Sequence, residues 1–101
     1  MNTDALTTTH VANMTGISYR MIDHVVRRGL LRPTHATDGS GTVRLWDVKE
    51  TALALRLAEV SRATGLAFAA TCDRYASIMR SGYGFTVTGE WGCLIIKPID
   101  Q

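Results

Sequence analysis

Between Thr7 and Pro33 the chain carries two helix signals so short that neither would be stable alone. Thr7-Thr8-Thr9 offers N-cap residues ahead of His10-Val11-Ala12-Asn13-Met14, which reads as a short helix. In Thr15-Gly16-Ile17-Ser18, Gly16 can take a positive φ and Ser18 can cap a second helix. From Tyr19 to Arg28 the apolar residues Met21, Ile22, Val25 and Val26 form one stripe at helical spacing. The other face shows Tyr19, Arg20, Asp23, His24, Arg27 and Arg28. Gly29 sits where a terminal glycine stops a helix, and Pro33 prevents its resumption. The first helix must therefore brace the second.

The remaining elements follow from local signals. Asp38-Gly39-Ser40-Gly41 is a turn between two short extended arms, and Thr42-Val43-Arg44-Leu45-Trp46 is the better strand of that hairpin. Asp47-Val48-Lys49-Glu50 reads as a capping box opening an apolar helix through Ala63, broken at Gly65. Phe68, Cys72, Tyr75 and Met79 mark one face of another helix ending near Ser81-Gly82. The tail then changes period. Phe85-Thr86-Val87-Thr88 alternates, Gly89-Glu90-Trp91-Gly92 turns, and Cys93-Leu94-Ile95-Ile96 is continuously apolar. This predicts a second hairpin whose return strand is buried on both faces, by this domain or by a partner. The expected fold class is α+β, mainly helical: a winged helix-turn-helix over residues 1–66, with an extra C-terminal helix and β-hairpin over 67–101 packed on it.

Composition narrows the function. At 101 residues, 46% hydrophobic and 20% charged, the chain has one modest core and no disorder signature. It shows no membrane-span run and no signal-peptide layout at Met1–His10, so a soluble, cytoplasmic protein is expected. The net charge of +2 is small but unevenly placed. Arg20, Arg27, Arg28, Arg32 and Arg44 face only Asp4, Asp23 and Asp38 in residues 1–46, whereas the rest of the chain is balanced. Any electrostatic footprint belongs to the first half. Cys72 and Cys93 have no metal-ligand spacing; packed thiols, one disulfide and half of an intermolecular pair remain open, with the buried-hydrophobe reading as default. No nucleophile–histidine motif, phosphate loop or ligand cluster stands out, so no enzyme, metal or cofactor is expected.

Taken in order, the segments resemble the MerR family of bacterial winged-helix DNA-binding proteins from about Thr8 to Thr71. The resemblance is carried by Val11-Ala12, Gly16-Ile17-Ser18 and Arg27-Arg28-Gly29-Leu30-Leu31-Arg32-Pro33. It continues through Gly39-Ser40-Gly41-Thr42-Val43-Arg44-Leu45-Trp46, the Asp47-capped helix and Ala63-Thr64-Gly65-Leu66. Many relatives have Thr-Ile-Arg-Tyr-Tyr in the second helix, where this chain has Met21-Ile22-Asp23-His24-Val25. That version, with Gly-Ser-Gly in the wing, is similar to a distinct subgroup, so base-reading residues cannot be copied from better-known members. The family's long dimerisation helix and effector domain have no counterpart, so metal, drug or redox sensing and a small-molecule effector are not carried over.

The resemblance implies a small transcription regulator of bacterial or phage repressor type that binds a specific double-stranded DNA sequence. It would act in the bacterial nucleoid or a phage host's cytoplasm. An excisionase-like DNA-architectural factor is an alternative. Another is a protein-interaction module, as an anti-repressor or polymerase-binding factor, using the C-terminal hairpin. Tyr19 and Arg20 are the foremost base-edge candidates, in the first turn of the second helix and off its apolar stripe. Asp23 and His24 are further base-reading candidates, although Asp23 is equally placed to orient Arg20 or Arg27. Ser18, Arg27, Arg28, Arg32 and Arg44 are assigned to phosphate, Arg44 because it matches the family's wing arginine, with His35 and Thr42 assisting. Trp46 is expected to pack the wing on the core. A homodimer is expected through Phe85, Val87, Trp91, Leu94 and Ile96, with Trp91 either an interface anchor or a packing lid.

Overall fold

The computed structural model describes residues 6–37, 42–82, 84–90 and 92–97, and of residues 35–37, 42 and 43 the backbone alone. The expectations for Trp91, for the side chains of His35 and Thr42, and for the Asp38–Gly41 turn lie outside the described residues. The element order is α1 (Thr8–Thr15), α2 (Tyr19–Arg27), β1 (Thr34–Thr37), β2 (Thr42–Leu45), α3 (Val48–Thr64), α4 (Phe68–Arg80), β3 (Phe85–Gly89) and β4 (Gly92–Ile96). The chain is thus α+β and mainly helical, with two separate antiparallel two-stranded sheets among the described residues. No described helix is long and apolar enough to cross a membrane.

Local chemistry explains where the first two helices begin and end. The Thr7 hydroxyl accepts from the His10 backbone N–H, and the His10 ring nitrogen accepts in return from the Thr7 backbone N–H. This is a capping box with histidine in the place of Glu or Gln. Gly16 then caps α1 in the left-handed region at φ 75°, and the Arg62 guanidinium closes the same end by donating to the Thr15 carbonyl at 2.9 Å. Ser18 caps α2 by accepting from the Met21 N–H at 3.1 Å, and Gly29 ends it at φ 78°.

One core joins all the helices. Val11, Ile22, Val25, Leu57, Trp46 and Met79 are almost wholly removed from water. α3 packs on α4 and α1, and α4 also packs on α2, so the division drawn near residue 66 runs through a shared interior. Trp46 is completely buried, pairs through its backbone with Leu6, and donates its indole N–H to the Thr8 hydroxyl at 3.1 Å. It therefore fastens the end of the first hairpin to the start of α1.

One expectation needs correction here. Asp47 caps α3 by accepting from the Glu50 N–H at 2.8 Å, but the Glu50 carboxylate does not return to Asp47. It accepts instead from the Arg32 backbone N–H at 2.6 Å and from both terminal nitrogens of Arg80, because a near-buried carboxylate gains more from a guanidinium than from one amide. Of the two faces of the C-terminal return strand, expected to be covered by this domain or by a partner, the chain itself covers one. Within β4, Ile96 is buried and Leu94 is partly covered, while Ile95 is 71% exposed and Cys93 is also exposed.

The inward face explains why. Register pairs Phe85 with Ile96 and Val87 with Leu94, and all four side chains pack against this chain's own core. Phe85 stacks on Tyr75 of α4 at a centroid separation of 4.8 Å. Phe85, Val87, Leu94 and Ile96, the residues expected at a homodimer interface, therefore also line this chain's own core, Ile96 buried and the other three partly covered. The hairpin's outer face carries Thr86, Thr88, Cys93 and Ile95. Cys72 and Cys93 are both free thiols, one buried and one exposed, which removes a disulfide between them.

Candidate nucleic-acid interface

The amphipathic pattern of α2 dictates what it can present. Ile22, Val25 and Val26 are buried on one side, and helical spacing then places Arg20, Asp23, His24 and Arg27 together on the other. Tyr19 is 54% exposed and Arg20 and His24 are exposed, all within the first two turns. These are the residues a groove-entering helix would offer to base edges. The Ser18 hydroxyl oxygen is occupied as the helix cap, which leaves its O–H free to donate.

β2 is linked to this face by an ion pair. Arg44 donates through Nη1 to Asp23 Oδ1 at 2.5 Å, while Arg27 donates through Nε to Asp23 Oδ2 at 2.8 Å. Asp23 thus holds an arginine from its own helix and another from the hairpin. The hydrogen bond from Arg44, helped by the nearby Arg27 charge, lowers the Asp23 carboxyl below the ordinary aspartate range despite partial desolvation. Each Asp23 oxygen accepts one arginine hydrogen bond and keeps one further acceptor site. The two arginines differ sharply in exposure: the Arg44 side chain is 19% exposed and that of Arg27 74%. Arg44, the foremost expected phosphate contact, is largely spent on Asp23.

The basic residues at the exit of α2 are placed by a second set of contacts. Arg28 reaches within 4.0 Å of Asp73 on α4, a loose pair between exposed groups. Arg32 is exposed and donates from Nε to the Gly29 carbonyl at 3.2 Å, which aims the guanidinium back along the helix end. Its backbone is pinned by Glu50, while Arg80 donates to the Leu30 carbonyl at 3.1 Å. Glu50 and Arg80 therefore fix the segment that carries Arg32 without touching the exposed face.

Sequence reasoning brought Arg20, His24 and Arg27 onto one face but missed two linkages. The Asp23–Arg27 spacing of four residues was legible, whereas Asp23–Arg44 spans 21 residues. The Glu50–Arg80 pair spans 30 residues, and Glu50 also fits the local capping-box pattern after Asp47. Among the described residues no three His, Cys, Asp or Glu side chains gather as a metal site. No protein-family model, curated protein or solved structure matches the chain significantly.

Proposed function

We propose that the chain is a small MerR-like winged helix-turn-helix protein that binds a specific duplex DNA sequence and regulates transcription. The observation that carries this reading is the exposed Arg20, His24 and Arg27 stripe on a helix whose opposite side is buried. A helix of this kind fits the major groove, where an arginine can pair bidentately with guanine. In this reading Tyr19, Arg20 and His24 meet base edges. Arg27, Arg28 and Arg32 meet the phosphate backbone, and β1–β2 is the wing beside it.

The module is small, so two copies on one site would supply the contact area that useful specificity needs. Selection of bound fragments from random duplex DNA at near-physiological salt tests the reading, with Arg20→Ala run in parallel. A recurring motif that is lost or degraded in the variant supports it, and the spacing of half-sites reports how many copies bind. No enrichment by folded wild-type protein rejects it.

A further inference from the structure

Asp23 is an acidic group in the middle of an arginine-rich face, where a DNA-binding surface would be expected to avoid one. Its two partners are not equivalent. Arg44 is largely covered and comes from a different element, so its bond to Asp23 is a strut between α2 and β2. Arg27 is mostly in solvent, and the described contact engages Nε alone. Exposed pairs four residues apart on a helix are weak. A guanidinium on a phosphodiester makes stronger, often bidentate hydrogen bonds. Moving Arg27 from Asp23 to a phosphate is therefore easy, whereas moving Arg44 would abandon a largely covered contact and remove the strut between α2 and β2.

We propose that Asp23 sets discrimination on this face by keeping one arginine and lending the other. When DNA binds, Arg44 stays on Asp23 and Arg27 exchanges the carboxylate for a backbone phosphate. The carboxylate then remains close to the duplex as a repulsive charge, which weakens any complex lacking compensating base contacts. Asp23 is thus a specificity-setting residue, Arg44 a positioning residue and Arg27 the exchangeable phosphate contact. This inference rests on the DNA-binding reading above.

The test measures binding of a mixed-sequence DNA duplex across a range of salt for wild type, Arg27→Gln, Arg44→Gln and Asp23→Asn, with thermal melts to verify folding. Each phosphate contact contributes about 0.9 to the slope of log affinity against log salt. Arg27→Gln should lower the slope by about that amount, although Arg27 is paired in the free protein. Arg44→Gln should weaken binding at an unchanged slope. Asp23→Asn keeps a side-chain oxygen to accept from Arg44 and removes the charge, so it should tighten mixed-sequence binding by about fivefold, the scale of one close charge in a watery setting. A slope reduced by Arg44→Gln and not by Arg27→Gln overturns the proposal, as does an Asp23→Asn variant that folds and binds no tighter. Should Asp23→Asn fail to fold, the two arginine slopes decide, since Arg27 is exposed enough to replace safely. If folded wild-type protein and Arg27→Gln both ignore duplex DNA even at low salt, the DNA-binding reading itself fails, and this inference fails with it.

Discussion

Glu50 and Arg80 meet as a two-pronged pair, with Nη1–Oε1 at 2.6 Å and Nη2–Oε2 at 3.0 Å. They meet where α3, α4 and the segment leaving α2 converge. Glu50 is 8% exposed, and the Arg80 side chain is somewhat more open to water. The consequence is an asymmetry. Arg80→Met strands a near-buried carboxylate with the Arg32 N–H as its remaining partner, whereas Glu50→Gln leaves a guanidinium that water can reach. Breaking a fully buried pair costs about 3–5 kcal/mol, and partial exposure of Arg80 reduces this to about 2 kcal/mol for Arg80→Met. Glu50→Gln should cost less. Urea unfolding midpoints for both variants check the order, and an equal or reversed order would show that the pair is not the source of the effect.

Trp46 and Thr8 give a second, separable prediction. The indole N–H donates to the Thr8 hydroxyl in a fully buried setting. Thr8→Val leaves that N–H unpaired, and Trp46→Phe removes it along with part of the packing. Thr8→Val should cost about 1–3 kcal/mol, the penalty for an unsatisfied buried donor. In the Trp46→Phe background the same change should cost much less. A double-mutant cycle that shows simple additivity would contradict a coupled pair.

Much of this fold is written in local signals, and the exceptions share a cause. Thr7, Ser18 and Asp47 cap the helices that they precede, and Gly16, Gly29 and Gly65 end helices at positive φ. Such features depend on neighbours within a turn of chain. The alternating pattern at Phe85–Thr88 likewise separates two faces of a strand. It does not say whether the apolar face meets this chain or another, because that depends on where α4 places Tyr75. The Asp23–Arg44 and Glu50–Arg80 pairs are formed by packing between distant elements, and neither leaves a periodic trace. For the candidate interface, helical spacing therefore identified the exposed stripe but not that Arg44 is drawn onto Asp23.

The Phe85–Tyr75 stack, with rings inclined by 14°, is an anchor for the second hairpin. A two-stranded hairpin is marginal by itself in water, so β3–β4 depends on this contact and on Ile96 beneath it. Phe85→Ala should cost about 2 kcal/mol, combining lost stacking with the burial of a partly covered ring. Its effect should be local. Hydrogen exchange of backbone amides in Phe85–Ile96 should accelerate far more than exchange in α3. Uniform acceleration across both would mean that the hairpin unfolds with the core rather than ahead of it.

Acid should act on the Asp23 linkage in a defined direction. The Arg44 hydrogen bond, with Arg27 beside it, holds the folded-state carboxyl below its ordinary value. A depressed carboxyl gives stabilisation that is complete above the unfolded value, about 3.9 for an unperturbed aspartate, and is lost as pH falls through the folded one. Asp23→Asn lacks this dependence. The stability gap between wild type and Asp23→Asn should therefore be constant near neutrality and shrink below the ordinary aspartate range. Urea midpoints measured on both sides of that range check this, and a gap that stays constant into strong acid would exclude Asp23 as the titrating group.

The two thiols should behave as different reagents. Cys72 is 1% exposed on the inner face of α4, and burial pushes its thiol up to about 12. Near neutrality it is almost entirely protonated and out of reach, and the thiolate is the reactive form. Cys93 lies on the outer face of β4 in contact with water. A disulfide reagent added to native protein should therefore modify one cysteine quickly and the other only when the chain unfolds. Cys93→Ser should abolish the fast phase, and Cys72→Ser should preserve it. Rapid modification of Cys72 in folded Cys93→Ser protein would mean that α4 opens far more often than its packing against α2 and α3 allows.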